Sequence, residues 1–129
     1  MEPVKIGILG LGTVGSGTVN VLTRNADEIQ RRAGRGIRVV SAAARDLKRK
    51  RNCPTEGIRL TADPQEIVND PEVEVVVELM GGYEPARTLV LQAIANGKHV
   101  VTANKAMIAA HGNEIFAAAQ KKGVMVAFE

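Results

Sequence analysis

"KIGILGLGTVGSGTVNVL", residues 5–22, runs from an aliphatic stretch through a cluster of glycines into apolar positions at helical spacing. Gly10, Gly12 and Gly15 spell G-x-G-x-x-G. That spacing alone is weak evidence, because glycines often serve only tight turns. Its context is more telling: it follows a strand and opens a helix, the setting in which such glycines hold a dinucleotide. Gly10 suits the turn, Gly12 the close approach of a pyrophosphate, and Gly15 tight packing of helix on strand. Leu11 belongs to the same candidate site. Amides around Thr13 and Val14 would face the phosphates, with the positive end of the helix dipole behind them. Gly17 adds another small residue on that turn. The competing reading is a glycine-rich turn with no ligand.

Working outward, short aliphatic runs alternate with amphipathic segments, as in repeated strand–helix units. Residues 4–9 read as a first strand, and apolar Val14, Leu22, Ile29 and Ala33 predict one helix from Val14 to about Ala33, stopped by Gly34 and Gly36. Residues 37–43 are a second strand and 58–61 a short third. Asp63 and Pro64 start a short helix ending near Asp70, by a capping side chain and then a proline that needs no donor. Residues 73–79 form a fourth strand, and a helix opens near Pro85 and closes at Gly97. "HVVTA" is a fifth strand, residues 104–123 a further helix, and "VMVAF" a sixth strand. Right-handed crossovers arrange these as an α/β, Rossmann-type doubly wound, mainly parallel six-stranded sheet of order 3-2-1-4-5-6. Ligand then sits outside the carboxyl ends of the strands, beside the first strand, where the order reverses.

Composition agrees with one domain spanning residues 1–129. The chain is 45% hydrophobic and 24% charged, ordinary for a globular protein. Tyr83, Phe116 and Phe128 are the only aromatics, so the core must be aliphatic, which suits a parallel sheet buried on both faces. One cysteine, Cys53, excludes an internal disulfide and a multi-cysteine metal site. No apolar run approaches the roughly 20 residues of a membrane span. The start "MEPVKIG" lacks a signal peptide's layout, so the expected location is cytoplasmic.

Three further stretches carry chemistry. At the end of the second strand stand Ala44, Arg45 and Asp46, followed by Lys48, Arg49, Lys50 and Arg51. An acid there bonds the ribose 2′-hydroxyl of NAD, whereas an arginine accommodates the 2′-phosphate of NADP. Arg45 favours NADP, while Asp46 keeps NAD open; the "KRKR" run also reads as a solvated loop. In "ELMGGYEPA", Met80, Gly81 and Gly82 fall at the switch point, where exposed backbone can lie along a cofactor. The alternative is a turn that needs positive φ. In "TANKAMIAAHG", Asn104 is a helix cap and Lys105 stands in the first helical turn. A lysine there opposes the helix dipole, so stability alone would not choose it, and it becomes a candidate proton donor. His99 reads as a strand-edge residue and His111 as a solvent-facing helix residue.

Together, "GILGLGTVGSGTVNVL", "VVVELMGGYEPA" and "GKHVVTANKAMIA" resemble the amino-terminal part of homoserine dehydrogenases, over essentially the whole chain. The last two motifs are far more specific than the glycines. The resemblance implies reversible reduction of L-aspartate 4-semialdehyde to L-homoserine with NADPH or NADH, on the route to threonine and methionine. It implies that Gly10 to Gly15 hold the pyrophosphate, Arg45 the adenosine end, and the Met80–Gly82 loop the nicotinamide side. Lys105 matches the family's proton-transferring lysine, preceded by Asn104. Glu129 matches a glutamate of the family's monovalent-cation site, a site for an ion such as sodium, with Phe128 where the family has tyrosine. The resemblance further implies a homo-oligomer.

The rest of the family's pattern lies outside these residues: other cation ligands, the carboxylates that grip homoserine, a second catalytic lysine and much of the subunit interface. The expectation is therefore a cofactor-binding domain, without a catalytic or substrate domain, that is inactive by itself. Two other classes compete. A complete small nucleotide-binding regulator or oxidoreductase would need a substrate pocket within this chain. A nucleic-acid binder using "KRKR" would lack the interleaved aromatics and reading motif of such proteins. No nucleic-acid or membrane partner is expected.

Overall fold

The structure, a computed structural model, describes residues 2–45 and 55–128, apart from the side chains of Thr13 and Val14. The strands are β1 (Val4–Leu9), β2 (Ile37–Ala43), β3 (Arg59–Thr61), β4 (Val75–Glu78), β5 (His99–Thr102) and β6 (Val126–Phe128). The helices are α1 (Thr13–Arg24), α2 (Ala26–Ala33), α3 (Gln65–Val68), α4 (Ala86–Ala95) and α5 (Lys105–Lys122). The sheet has the order β3-β2-β1-β4-β5-β6, and every ladder is parallel. This is the doubly wound order expected from the strand–helix alternation.

Alternate residues of one strand face opposite layers. Leu9 joins the larger core with Ile67 of α3, Leu89 and Ile94 of α4, and Met107 and Ile115 of α5. Its neighbour Ile8 joins the smaller core with Leu11, Val19 of α1 and Ala42. Helices α3, α4 and α5 thus cover one face, and α1 the other over β1 and β2. Gly7 lets β1 lie close under α3, since a Cβ there would run into Ile67 and crowd Val73 and Ser41. The β1–β2 register shifts between Ile6 and Gly7, leaving Val40 as an extra residue of β2.

One expected element divides. The single helix over residues 14–33 is two helices meeting at Asn25, whose φ of −108° and ψ of 20° leave the helical region. Both its backbone amide and its side-chain amide donate to the Val21 carbonyl, at 3.1 and 2.9 Å. Asparagine competes with the helix for its own hydrogen bonds, and the apolar spacing cannot register that. The other elements fall where expected with trimmed ends: β4 begins at Val75 rather than Val73, and β6 at Val126 rather than Val124.

Among the described residues two charged side chains are buried: Glu78 at the end of β4 and Lys98 just before β5. The Lys98 ammonium donates to the carbonyls of Asp70 and Val73, at 2.5 and 2.7 Å, and so ties the start of β5 to the loop entering β4. Burial pushes its pKa below the usual lysine value, with Asp70 opposing. Lys98 sits at the amino end of its strand, away from the strand ends that carry the site.

Candidate functional site

The carboxyl ends of β1, β2 and β4 are held together by their own backbone. Gly10 and Leu11 amides both donate to the Ala43 carbonyl at 3.0 Å, and Leu79 donates to Leu9 at 2.8 Å. Gly10 makes the turn with φ at +99°, and a Cβ on it would crowd the backbone of Leu79 and Met80. A Cβ on Gly15 would collide with the carbonyl oxygen of Gly10, so Gly15 lets α1 rise directly from the turn. Around Gly12 an added Cβ meets nothing within 4 Å. Gly10 and Gly15 thus have different structural reasons to be small, and the surrounding protein atoms give Gly12 none.

The ladder of α1 starts with Ser16 donating to Gly12 at 2.8 Å, so the amides of the turn before it have no helical acceptor. No acidic side chain stands in that first turn. The helix start therefore presents donors and positive partial charge to the opening beside Gly12.

That opening is a cleft of about 410 Å³. Gly10, Leu11 and Gly12 line its middle, Arg45, Ala62 and Pro64 one end, and Met80, Gly81 and Glu84 the other. It lies at the order reversal, with β2 on one side of β1 and β4 on the other. Arg45, exposed at its rim, follows the end of β2. Asp46, the Lys48–Arg51 run, Cys53 and Glu129 lie outside the described residues.

Gly82, Asn104 and Lys105 stand beyond the cleft lining; a hydrogen bond ties Asn104 to Gly82, the residue after Gly81 of the lining, and Lys105 follows Asn104 in the chain. The Asn104 side-chain amide donates to the Gly82 carbonyl at 2.6 Å, and its oxygen accepts from the Met107 amide at 3.1 Å, capping α5. Lys105 is exposed at the first position of α5. Gly81 and Gly82 have φ of +79° and +75°, a left-handed pair that other residues adopt at a cost.

The sequence reading missed two residues here. Glu78 is fully buried, and its Oε2 accepts from the amides of Met80 and Gly81, at 2.8 and 3.3 Å. Its Oε1 accepts from the Thr102 hydroxyl at 2.5 Å, and that hydroxyl accepts from the Asn104 amide at 3.0 Å. A glutamate closing a valine run in "VVVEL" was the available signal, since an acid has no reason of its own to enter a buried strand.

Past the double glycine, Glu84 accepts from the amide and hydroxyl of Thr88, each at 2.9 Å. These bonds, the backbone one first, hold its carboxyl below the usual range, with help from Arg87. His111 is half-buried, not solvent-facing as expected, because Tyr83 meets it edge-on with ring centres 6.1 Å apart. His99 is exposed at the first position of β5, a strand flanked by β4 and β6, and its Nδ1 accepts from the Met125 amide at 3.0 Å.

Among the described residues no three His, Cys, Asp or Glu side chains cluster as metal ligands, and no helix is long and apolar enough to cross a membrane.

The family model described as "Homoserine dehydrogenase, NAD binding domain" matches residues 10–129. The chain is 64% identical over 129 residues to a homoserine dehydrogenase of Pseudomonas aeruginosa, covering all of this chain and 29% of that protein. A homoserine dehydrogenase of Bacillus subtilis is 36% identical, with 100% of this chain and 30% of that protein covered. A crystal structure of a homoserine dehydrogenase from Thiobacillus denitrificans superposes with a TM-score of 0.91 at 63% identity, over 98% of this chain and 29% of that one. The chain therefore spans under a third of the length of these relatives.

Proposed function

The chain belongs to the homoserine dehydrogenase family, as its NAD-binding domain, and from that premise we propose that it holds NADP(H) in the cleft beside Gly12. One observation carries this reading. The donor-rich start of α1 and the Arg45 side of the cleft line a single opening at the order reversal of the sheet. The donor set fits the group: amides for a pyrophosphate, and a guanidinium for the 2′-phosphate that distinguishes NADP from NAD. The open space at Gly12 leaves room for backbone and phosphate to approach.

When bound, the nicotinamide supplies or accepts the hydride. The chain's own residues bind and orient: Gly10 to Gly15 with Leu11, Thr13 and Val14 hold the pyrophosphate, and Arg45 the adenosine end. Met80 and Gly81 line the other side, with Gly82 next in the same loop. In the whole protein, Lys105 exchanges a proton at Nζ with the oxygen that becomes the homoserine hydroxyl. The substrates there are L-aspartate 4-semialdehyde and L-homoserine, in threonine and methionine biosynthesis in the cytoplasm. Glu129 contributes to a monovalent-cation site, and the protein is a homo-oligomer.

Calorimetric titration of one sample with NADPH, NADH and a DNA oligomer tests the reading. We expect NADPH to bind more tightly than NADH, and the DNA not at all. Equal affinity for the two cofactors would remove the NADP preference, and DNA binding alone would overturn the proposal.

A further inference from the structure

We propose that Glu78 is a positioning residue that locks the Met80–Gly82 loop and the start of α5 into one rigid wall on the nicotinamide side of the cleft. The inference rests on the cofactor reading above. A fully buried carboxylate is hard to justify by stability, because its desolvation is offset only by well-placed donors. Glu78 has three such donors: Met80 N and Gly81 N, both in the lining of the cleft, and the buried Thr102 Oγ1 behind it. What they fix is a segment that needs fixing. Consecutive glycines with positive φ have more conformational freedom to lose than any other pair.

The bonds grip that segment at both ends. Glu78 holds the entry at Met80 and Gly81, and Asn104 holds the exit at the Gly82 carbonyl. Thr102 connects the two grips, donating to Glu78 and accepting from the Asn104 amide. The loop after β4 and the helix that begins at Lys105 are therefore set by one carboxylate.

The same bonds fix polarity along the cleft. The Met80 and Gly81 amides turn inward to Glu78, so neither is offered to a phosphate. The start of α1 keeps its amides for one. Since β2 and β4 flank β1 on opposite sides, a dinucleotide with its adenosine half at Arg45 extends its other half along Met80 and Gly81.

The test compares NADPH with 2′-phospho-ADP-ribose, which lacks the nicotinamide ring, on the full chain. Glu78→Leu removes the carboxylate and keeps the bulk. Glu78→Gln keeps an acceptor oxygen for Met80 and an amide that can donate to Thr102. For Glu78→Leu we expect about tenfold weaker NADPH binding, with the ringless ligand within about twofold of the wild type, as loss of a charge-assisted hydrogen-bond set on one side of the cleft requires. Glu78→Gln should restore NADPH binding to within about threefold. Should Glu78→Leu not fold, Thr102→Val provides the same comparison, with a smaller loss confined to NADPH. Equal losses for both ligands, or unchanged NADPH affinity in a folded variant, would overturn the positioning role alone. A wild-type chain that binds neither ligand would overturn the cofactor reading, and the proposal with it.

Discussion

Gly12 and Gly15 stand three residues apart and respond in opposite ways to the same added methyl. A Cβ on Gly15 collides with the Gly10 carbonyl, whereas one on Gly12 meets nothing within 4 Å. Gly12 also has a negative φ of −91°, outside the left-handed region that favours glycine. Gly15→Ala should therefore destabilise the fold by about 1–3 kcal/mol through overpacking. Gly12→Val should leave the melting temperature nearly unchanged and abolish NADPH binding, by filling the space a pyrophosphate needs. Thermal melts beside titrations separate the two, and a destabilised Gly12 variant that still binds would reverse the assignment. Arg45→Ala should weaken NADPH by about 1.5–3 kcal/mol, the value of a charged hydrogen bond, and leave NADH unchanged. Equal losses would sink the 2′-phosphate role. Much of this was legible in sequence, because G-x-G-x-x-G, Arg45 and Asn104 have local signatures. Glu78 and Thr102 were not, because their meaning arises only when β4 and β5 pair and bring residues 24 positions apart within hydrogen-bond reach.

Elements were legible to the extent that their signals are local. Glycine and proline punctuation, with the aliphatic runs, marked all six strands and led to their order. The break at Asn25 was hidden because Val14, Leu22, Ile29 and Ala33 keep one helical phase across it. The docking of α4 on α5 was equally hidden. Arg87 of α4 donates twice to Glu114 of α5, at 2.6 and 2.7 Å, and lies 3.7 Å from Glu84. Arg87 holds the Glu114 carboxyl below its usual range, chiefly through those bonds, as Thr88 does for Glu84. Carboxyls depressed in the folded state contribute stability above their unfolded pKa and lose it as pH falls through the folded one. We expect the melting temperature to fall on acidification through and below the usual carboxylate range, with a shallower slope in Glu114→Gln. Identical slopes in variant and wild type would show that the clamp contributes nothing. At the other end of the sheet, Lys98→Met keeps the stem but strands the Asp70 and Val73 carbonyls. That should cost about 1–3 kcal/mol in denaturant unfolding, the penalty for unmatched buried acceptors.

At the scale of the whole molecule, cofactor binding and turnover make different demands. A dinucleotide needs one cleft, which the described residues supply. Turnover needs the nicotinamide carbon and the substrate carbonyl held at near-attack distance, with a proton donor at the developing alkoxide. The candidate wall offers Lys105 as that donor, and it also needs a grip on the amino-acid end of homoserine. An α-ammonium calls for a carboxylate, and among the described residues the two carboxylates bracketing the Met80–Gly82 loop are already engaged. Glu78 is buried against Met80, Gly81 and Thr102, and Glu84 is bonded to Thr88. Positioning of that kind is worth several kcal/mol of barrier, so a lysine without it should not restore catalysis. We therefore predict that the 129-residue chain binds NADPH and shows no measurable oxidation of homoserine. In a full-length relative, alanine at the position of Lys105 should lower kcat far more than the melting temperature, because an exposed first-turn lysine adds little stability. Initial-rate assays of the chain and of that variant decide it. An active chain would show that the substrate grip lies within these residues, and an unchanged kcat would take the proton transfer away from Lys105.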